Sequence, residues 1–332
     1  MAIEIIVPDE TTSIVQGNAL GENPAYVYLA SLSSERSRRV MMNALRGIVA
    51  VVHGKTIEDV TKDDALAFQW AALRYQHTQA IRTGLQKHYS HSSVNRMLSA
   101  LRRVLKECWR LGLMDNETMA RACDIENVKG ETVPAGRDLA RGEILALVEA
   151  CKQDDNHSGG KRDAAIIGLL YTQGVRRAEV AKIDFEDVDL KNGSILIRHG
   201  KGNKQRTVYA KNGALRALKD WIELRGDSPG GLFLPVRKGG KITREQDAGK
   251  LKSITPQTVY DMLKRRATQA GVDDFTPHDL RRTYVGDALD RGVDVFTVQK
   301  TAGHSDSSTT FRYDRRGERS KEEAAEGAHF PY

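Results

Sequence analysis

Apolar residues recur at helical spacing through much of the first half of the chain. The clearest stretch is 91–111, where four apolar residues three or four positions apart fall on one face of a helix. These residues are Leu98, Leu101, Leu105 and Cys108. The same pattern in a less complete form predicts further helices near 24–32, 35–52 and 62–75. The first half is therefore predicted to be a helical domain.

Polar stretches without apolar periodicity divide the chain. Residues 1–20 run into a Gly-Glu-Asn-Pro breaker cluster and are predicted to form a short arm. Residues 126–137 contain Gly130, Pro134 and Gly136 and are predicted to form a linker. The expected organisation is an arm at 1–20, a helical domain at 21–125, a linker at 126–137, a second domain at 138–316 and a tail at 317–332.

The second domain mixes helical and strand patterns. Two short strands, Ser194–Arg198 and Arg206–Ala210, surround a Gly-rich turn and predict a small antiparallel sheet. The predicted helices are Leu139–Cys151, Lys161–Gln173, 212–225, 256–270, 278–291, 294–302 and 308–315. Because 332 residues exceed one typical core, the fold is predicted to be mainly α with two domains and a small antiparallel sheet.

Charge and composition narrow the class of protein. The formal net charge is +7, which favours a polyanionic partner such as nucleic acid. The three cysteines have no CxxC spacing, so neither a zinc site nor a disulfide framework is predicted. The N-terminus lacks the charge pattern of a secretory signal, and no apolar stretch approaches the ~20 residues of a membrane span. We therefore expect a cytoplasmic protein without a membrane partner.

Basic residues recur on the opposite face of the 91–111 helix. They are Arg96, Arg103, Lys106 and Arg110. A solvated face is the ordinary interpretation of such a stripe, but no acid stands at these four positions. A second predicted helix carries Arg39 among other arginines. Two such faces are suited to phosphate contacts, which position a protein on DNA without reading its sequence.

Residues with complementary chemistry follow one another in the second half of the chain. They are Arg176 in GVRRAE, Lys201 in GKGNK, His278 and Arg281 in HDLRR, His304 after Gly303, and Tyr313 nine residues later. Guanidinium groups can hold phosphate oxygens, imidazoles can carry protons, an ammonium can protonate a leaving alkoxide, and a phenol can attack phosphorus. The set contains what is needed to cut and rejoin a phosphodiester without a metal or another cofactor.

For three of these residues the local sequence bears on whether the role is functional or only structural. An arginine at a helix start opposes the helix dipole, so Arg176 favours a bound anion there. The turn around Lys201 requires Gly and Asn but no lysine. Tyr284, three residues after Arg281, is the main rival of Tyr313 as nucleophile, and we interpret it as a core residue.

In order and spacing these motifs resemble the tyrosine site-specific recombinases, also called the phage integrase family. The resemblance covers residues 137–316, and a looser likeness to the family's helical, SAM-like core-binding domain covers 20–125. It implies a catalytic domain at 138–316 and a DNA-clamping domain at 21–125. The short stretch before the first helix favours an Xer-like or transposon-borne type over integrases with a separate arm-binding domain.

The resemblance implies a role for each matched residue. Arg176 and Arg281 would clamp the scissile phosphate, and His304 would donate to a non-bridging oxygen. Lys201 would protonate the leaving 5′-oxygen, and His278 would assist proton transfer from the nucleophile Tyr313. Positions around the site are also matched: Glu179 would hold Arg176 in place, while Lys204 and Arg206 would contact the DNA backbone.

The same resemblance implies a reaction and its partners. Tyr313 would form a 3′-phosphotyrosyl bond, and a 5′-hydroxyl of a second strand would reseal the backbone. Four protomers would act on two double-stranded DNA duplexes, each with a specific site, through a Holliday junction. The tail at 317–332 would dock on a neighbouring protomer, with Phe330 and Tyr332 as candidate anchors.

Three other functions stay open on the sequence alone. A type IB topoisomerase would use the same attack without exchanging partners, and a DNA-binding protein that has lost catalysis would keep the fold alone. The dipeptide His278-Asp279 also occurs in metal-dependent phosphohydrolases, although no convincing set of further ligands accompanies it.

Overall fold

The computed structural model describes residues 21–130, 136–198 and 205–303. The chain divides into two compact units, Met1–Val133 and Pro134–Tyr332. The predicted arm, the predicted tail and the helix expected near 308–315 lie outside the described residues. The described part is mainly helical, with small antiparallel sheets in the second unit, as the sequence predicted.

Helices form the first unit. In chain order they are α1 (Pro24–Ala30), α2 (Glu35–His53), α3 (Lys62–Ala67), α4 (Tyr75–His88), α5 (His91–Arg110) and α6 (Asn116–Cys123), with a 3-10 turn at Trp70–Ala72. Side chains cap several starts: Asn23 accepts from the backbone of Tyr26, and Thr61 forms a reciprocal capping box with Asp64. The described boundaries of α1, α2 and α5 lie within two residues of those predicted.

Helix α5 is the centre of the first core. The four predicted apolar residues of its stripe are fully buried, and α5 packs against α1, α2 and α6. Nine of its residues are buried at helical spacing. A buried face of this width gives a clear periodic pattern in the sequence, and the helix was predicted from that pattern.

Two helices of the first unit were not predicted, and one predicted helix is shorter. The 62–75 pattern is interrupted at Phe68, whose backbone is extended, and the indole of Trp70 donates to the carbonyl of Ala65 at 2.9 Å. The chain then starts α4 at Tyr75. Helix α4 buries three residues and α6 only Ala122, so neither presents the broad apolar stripe that a sequence pattern detects.

The second unit combines helices with two small sheets. Its helices are α7 (Arg141–Lys152), α8 (His157–Gln173), α9 (Arg177–Val180), α10 (Asn212–Arg225), α11 (Pro256–Ala270), α12 (Pro277–Asp290) and α13 (Val295–Ala302). Its strands are β1 (Val188–Asp189), β2 (Ser194–Ile197), β3 (Arg206–Tyr209), β4 (Gln246–Asp247) and β5 (Lys250–Leu251). Strands β1–β2–β3 form one antiparallel sheet, and β4 pairs with β5 in a second that was not predicted.

Helix α8 lies in the middle of the second core. It packs against α7, α10 and α12, and Ile166, Leu169 and Leu170 are fully buried there. The same helix buries Asp163, which accepts from Arg265 at 2.7 Å and from Arg266 at 3.0 Å. A buried carboxylate requires such partners, so this ion cluster joins α8 to α11.

Both ends of the predicted linker are held by their own unit. Val128 exchanges two backbone hydrogen bonds with the side chain of Asn95 on α5, at 2.8 and 3.0 Å. On the other side of residues 131–135, the backbone of Arg137 donates to Asp279 at 3.0 Å, and Arg282 donates to the carbonyl of Gly136 at 3.1 Å. The helices of the described residues include none with the length and apolar character of a membrane span.

Candidate active site

Arg176 stands at the turn between α8 and the one-turn helix α9. Gly174 ends α8 with a left-handed backbone, φ +57°, and Arg176 is the N-cap of α9. Its guanidinium donates to Glu179 at 2.9 Å and to the carbonyl of Gly303 at 2.6 Å. The side chain is 27% exposed. Arg176 is therefore oriented by the protein and still reachable from solvent.

Glu179 is the acid that holds this arginine. Its side chain is 3% exposed and also accepts from the backbone N–H of Arg176 at 2.9 Å. Burial by itself would raise the pKa of Glu179, but the hydrogen bonds and charges of Arg206 and Arg176 outweigh it and hold the pKa below its ordinary 4.5. The carboxylate therefore stays ionised between two arginines.

Arg206 is the second arginine on Glu179. From β3 it donates to the two carboxylate oxygens of Glu179 at 3.0 and 2.7 Å, and its Nε donates to the carbonyl of Thr301 at 2.8 Å. Its side chain is 12% exposed. We predicted a DNA-backbone contact for Arg206, whereas the structure commits these donors to the interior, because the buried carboxylate of Glu179 faces β3.

Arg281 reaches the same turn from α12. Its side chain is buried, and Nη1 donates to the carbonyl of Gly174 at 2.6 Å. Gly174 lies two residues before Arg176, so the two predicted phosphate clamps converge from segments 107 residues apart. Two guanidinium groups at one turn form a positive site suited to a phosphate.

His278 occupies the first turn of α12, after Thr276 and Pro277. His278 is exposed to solvent. Desolvation by the surrounding protein and the positive charge of Arg281 lower the pKa of His278 below its ordinary 6.5. At neutral pH the ring is therefore neutral and able to accept a proton.

The neighbours of His278 and Arg281 have structural roles. Asp279 accepts from the backbone of Thr276 at 2.7 Å, which caps α12, and from the backbone of Arg137 at 3.0 Å. Arg282 pairs with Asp138 at 3.2 Å. The aspartate of the His278-Asp279 dipeptide thus serves as a helix cap. Across the described residues, no group of three or more His, Cys, Asp or Glu side chains is arranged to hold a metal.

Tyr284, the rival nucleophile, lies in the interior. It is 9% exposed and packs in an apolar cluster with Val285, Leu289 and Val298. Burial raises the pKa of Tyr284 above its ordinary 10.0. A buried phenol with a raised pKa is a poor nucleophile, which agrees with its interpretation as a core residue.

Four predicted site residues lie outside the described residues: Lys201, Lys204, His304 and Tyr313. Residues close to two of them in sequence do lie within the described structure. Arg176 binds the carbonyl of Gly303, the residue immediately before His304. Arg206, five residues after Lys201, binds the carbonyl of Thr301. The roles of these four residues stay predictions.

The predicted basic face of the first unit is exposed along α5. Arg96, Arg103, Lys106 and Arg110 are all on the surface, as is Arg39 on α2. Arg110 pairs with Glu107 at 2.7 Å, which reduces the charge it presents. By contrast, Arg46 donates to the carbonyls of Val60 and Ile57 and fastens the loop after α2. The role of the face in DNA binding stays a prediction.

Comparison with known proteins gives consistent matches. The phage integrase family matches residues 137–319. The chain is 31% identical over 242 residues to the tyrosine recombinase XerA of Pyrococcus furiosus, which covers 73% of this chain and 76% of that protein. It is 32% identical to the XerA of Thermococcus kodakarensis, over 68% of this chain and 71% of that protein. These relatives fit the Xer-like type that the sequence suggested.

A solved structure shares the fold. The Tn1549 transposon integrase, in complex with transposon right end DNA, superimposes with a TM-score of 0.66 at 12% identity, over 93% of this chain and 99% of that chain. At this identity the likeness concerns the fold alone. The family match over more than half of the chain, together with the identity to the XerA recombinases, shows that the chain belongs to the phage integrase family, the tyrosine recombinases.

Proposed function

We propose that this enzyme cuts and rejoins DNA at a specific site through a 3′-phosphotyrosyl intermediate on Tyr313. The observation that carries the proposal is the convergence of three motif segments on one turn. Arg281 binds the carbonyl of Gly174, and Arg176 binds the carbonyl of Gly303, 127 residues away. Both guanidinium groups, with His304 one residue beyond Gly303, would surround one phosphate.

In the first step the phenol oxygen of Tyr313 attacks phosphorus and the bond to the 5′-oxygen breaks. The leaving oxygen takes a proton from Lys201, and the phenol proton passes to His278. The lowered pKa of His278 supports this direction of transfer, because a neutral imidazole is the accepting form. Arg176, Arg281 and His304 stabilise the added charge on the phosphoryl oxygens.

In the second step a 5′-hydroxyl from another strand attacks the phosphotyrosine. The bond between phosphorus and the phenol oxygen breaks, and a phosphodiester is restored without ATP. Partner exchange requires two duplexes, so we propose a homotetramer that passes through a Holliday junction. A DNA partner is supported by a similar protein, the XerH site-specific recombinase, whose crystal structure is bound to palindromic difH substrate.

The basic face of the first unit is proposed to hold the DNA. Its arginine and lysine side chains project from α5 and α2 into solvent, where they can reach phosphates. Contacts of this kind supply affinity and position. They leave recognition of the site to other residues.

The test is covalent capture on nicked suicide DNA. A site is first selected from a random-sequence duplex library by covalent capture on the wild-type protein, and the nicked duplex is then incubated with each variant. We expect an adduct on denaturing gels with the wild type and with Tyr284→Phe, and none with Tyr313→Phe. Peptide mapping should place the nucleotide on Tyr313.

Three further measurements distinguish the alternative functions. Cleavage should persist in EDTA, and its loss there would favour the metal-dependent phosphohydrolase. Relaxation of supercoiled DNA that lacks the selected site would favour the topoisomerase. DNA binding without any adduct would identify a protein that has lost catalysis.

A further inference from the structure

Arg206 joins three parts of the candidate active site that are far apart in sequence. It stands at the start of β3, four residues beyond the Gly-Lys-Gly turn. Two of its nitrogens bind both oxygens of Glu179, and Nε binds the carbonyl of Thr301 near the end of α13. One side chain thus links the hairpin strand, the acid behind Arg176 and the helix that leads to His304.

The direction of Arg206 follows from the alternation of β3. Side chains two residues apart in a strand lie on one face, and Val208, two residues later, is fully buried. Arg206 therefore points towards the core. An inward-facing guanidinium requires hydrogen-bond acceptors, and the carboxylate of Glu179, with 3% of its side chain exposed, supplies two in a two-pronged geometry.

The second contact of Arg206 is with the C-terminal end of α13. The last carbonyls of a helix have no intrahelical partner and carry partial negative charge. Arg206 satisfies one of them at Thr301. The approach is close, since a Cβ on Gly303 would lie 2.9 Å from Nη1 of Arg206. A side chain at this position would displace the guanidinium of Arg206, and Gly303 also has the left-handed φ of +70°.

We infer that Arg206 is a positioning residue of strand cleavage, acting through Glu179 on Arg176 and through the end of α13 on His304. The inference rests on the proposed function and deepens it. Arg206 itself does not touch the scissile phosphate. It keeps the guanidinium of Arg176 and the chain that enters His304 in one arrangement.

The test compares the cleavage rate at saturating DNA with DNA affinity. The substrate is the nicked duplex obtained by covalent capture on the wild-type protein, and the variants are Arg206→Ala and Arg206→Lys. Because a displacement of about 1 Å in an active site can cost on the order of 10²-fold in rate, we expect Arg206→Ala to form the adduct about 10²-fold more slowly. The dissociation constant and its salt dependence should stay at wild-type values.

Arg206→Lys separates positioning from charge. Lysine keeps the positive charge but lacks the planar fork that binds two carboxylate oxygens and a carbonyl together. We expect about a tenfold slower reaction for Arg206→Lys, with thermal unfolding close to that of the wild type. This variant also keeps the test decisive if Arg206→Ala does not fold.

Arg198→Ala is the matched control. Arg198 follows β2 of the same sheet and pairs with another buried acid, Asp187, away from Glu179. Its removal also takes a guanidinium from a buried acid next to the sheet, and it should leave the adduct rate within a few-fold of wild type. Glu179→Gln should slow cleavage, and combining it with Arg206→Ala should add little, because the two residues act as one unit.

Wild-type cleavage by Arg206→Ala at saturating DNA would overturn the inference. So would weaker DNA binding with a salt slope reduced by about one, since that is the signature of a lost phosphate contact. An equal loss of rate in Arg198→Ala would also overturn it. If the wild-type protein captures no DNA at all, the proposed function is wrong, and the inference about Arg206 is overturned with it.

Discussion

The two arginines near the turn at Gly174 differ in how deeply they are buried. Arg281 is buried against the carbonyl of Gly174, whereas Arg176 keeps 27% of its side chain exposed. The positive charge of both lowers the pKa of His278, after the larger effect of desolvation. At the scale of single residues, the site places two guanidinium groups beside a neutral imidazole, which is a combination suited to phosphoryl transfer to a phenol.

The pH dependence of cleavage tests the state of His278. The accepting form is the neutral ring, which is lost as the pH falls through the pKa, and that pKa lies below 6.5. We expect the single-turnover cleavage rate to decline as the pH falls, with the midpoint of this decline below pH 6.5. In His278→Gln the slower remaining reaction should lack this acidic limb. A decline centred at or above 6.5 in the wild type would contradict the assignment.

At the scale of elements, the turn from α8 to α9 depends on one glycine. Gly174 has φ +57°, and its carbonyl accepts from Arg281. A Cβ at this position would lie 2.4 Å from Cδ1 of Tyr284. The buried ring of Tyr284 thus packs directly against the backbone that leads to Arg176 and binds Arg281. Core packing and the geometry of the site are coupled at this turn.

Two glycine variants separate backbone strain from this contact. Gly271, after α11, has a similar φ of +63° but no atom within 4 Å of a Cβ. We expect Gly271→Ala to cost about 1 kcal/mol of unfolding free energy, from the left-handed backbone alone. Gly174→Ala should lower the unfolding free energy by the same amount and by about 1–3 kcal/mol more, because its Cβ would clash with Tyr284.

Denaturant unfolding measures the difference between the two glycine variants. Gly174→Ala should also slow adduct formation, because Arg281 binds the carbonyl of the residue that moves. Equal stabilities of the two variants would show that Tyr284 gives way without cost.

At the scale of the whole molecule, the chain carries a net positive charge. The net charge is +7, and the first unit presents an exposed basic face on α5. Counterion release makes the affinity of such a face for DNA depend on salt, whatever the DNA sequence. Binding to random-sequence duplex DNA therefore reports on this face without any knowledge of the recombination site.

Arg103→Ala tests the basic face. Arg103 is exposed on α5, so its loss should weaken binding to random-sequence duplex DNA and reduce the slope of log affinity against log salt by about 0.9. The control is Arg121→Ala on α6, where the arginine is 73% exposed but paired with Glu117. That variant should keep the wild-type slope. Equal slopes for wild type and Arg103→Ala would remove α5 from the DNA interface.

The sequence by itself determined the features that depend on local pattern. The stripe of Leu98, Leu101 and Leu105 predicted α5, because a broad apolar face repeats at the helical period. The strands around the Gly-rich turn followed from alternation and turn chemistry, and their described bounds differ by one residue. The order of the motifs that contain Arg176, Lys201, His278, Arg281, His304 and Tyr313 carried the resemblance to the family, and the family match confirms it.

Only the tertiary structure decided how these residues are held. Arg206 was predicted to face DNA, yet its partners Glu179 and Thr301 come from segments 27 and 95 residues away. Alternation along β3 could have indicated that it points inward, but not which acid it meets. Likewise the burial of Tyr284 depends on the contact with Gly174. Spacing along the chain records local geometry, whereas these pairings arise only when distant segments pack into one core.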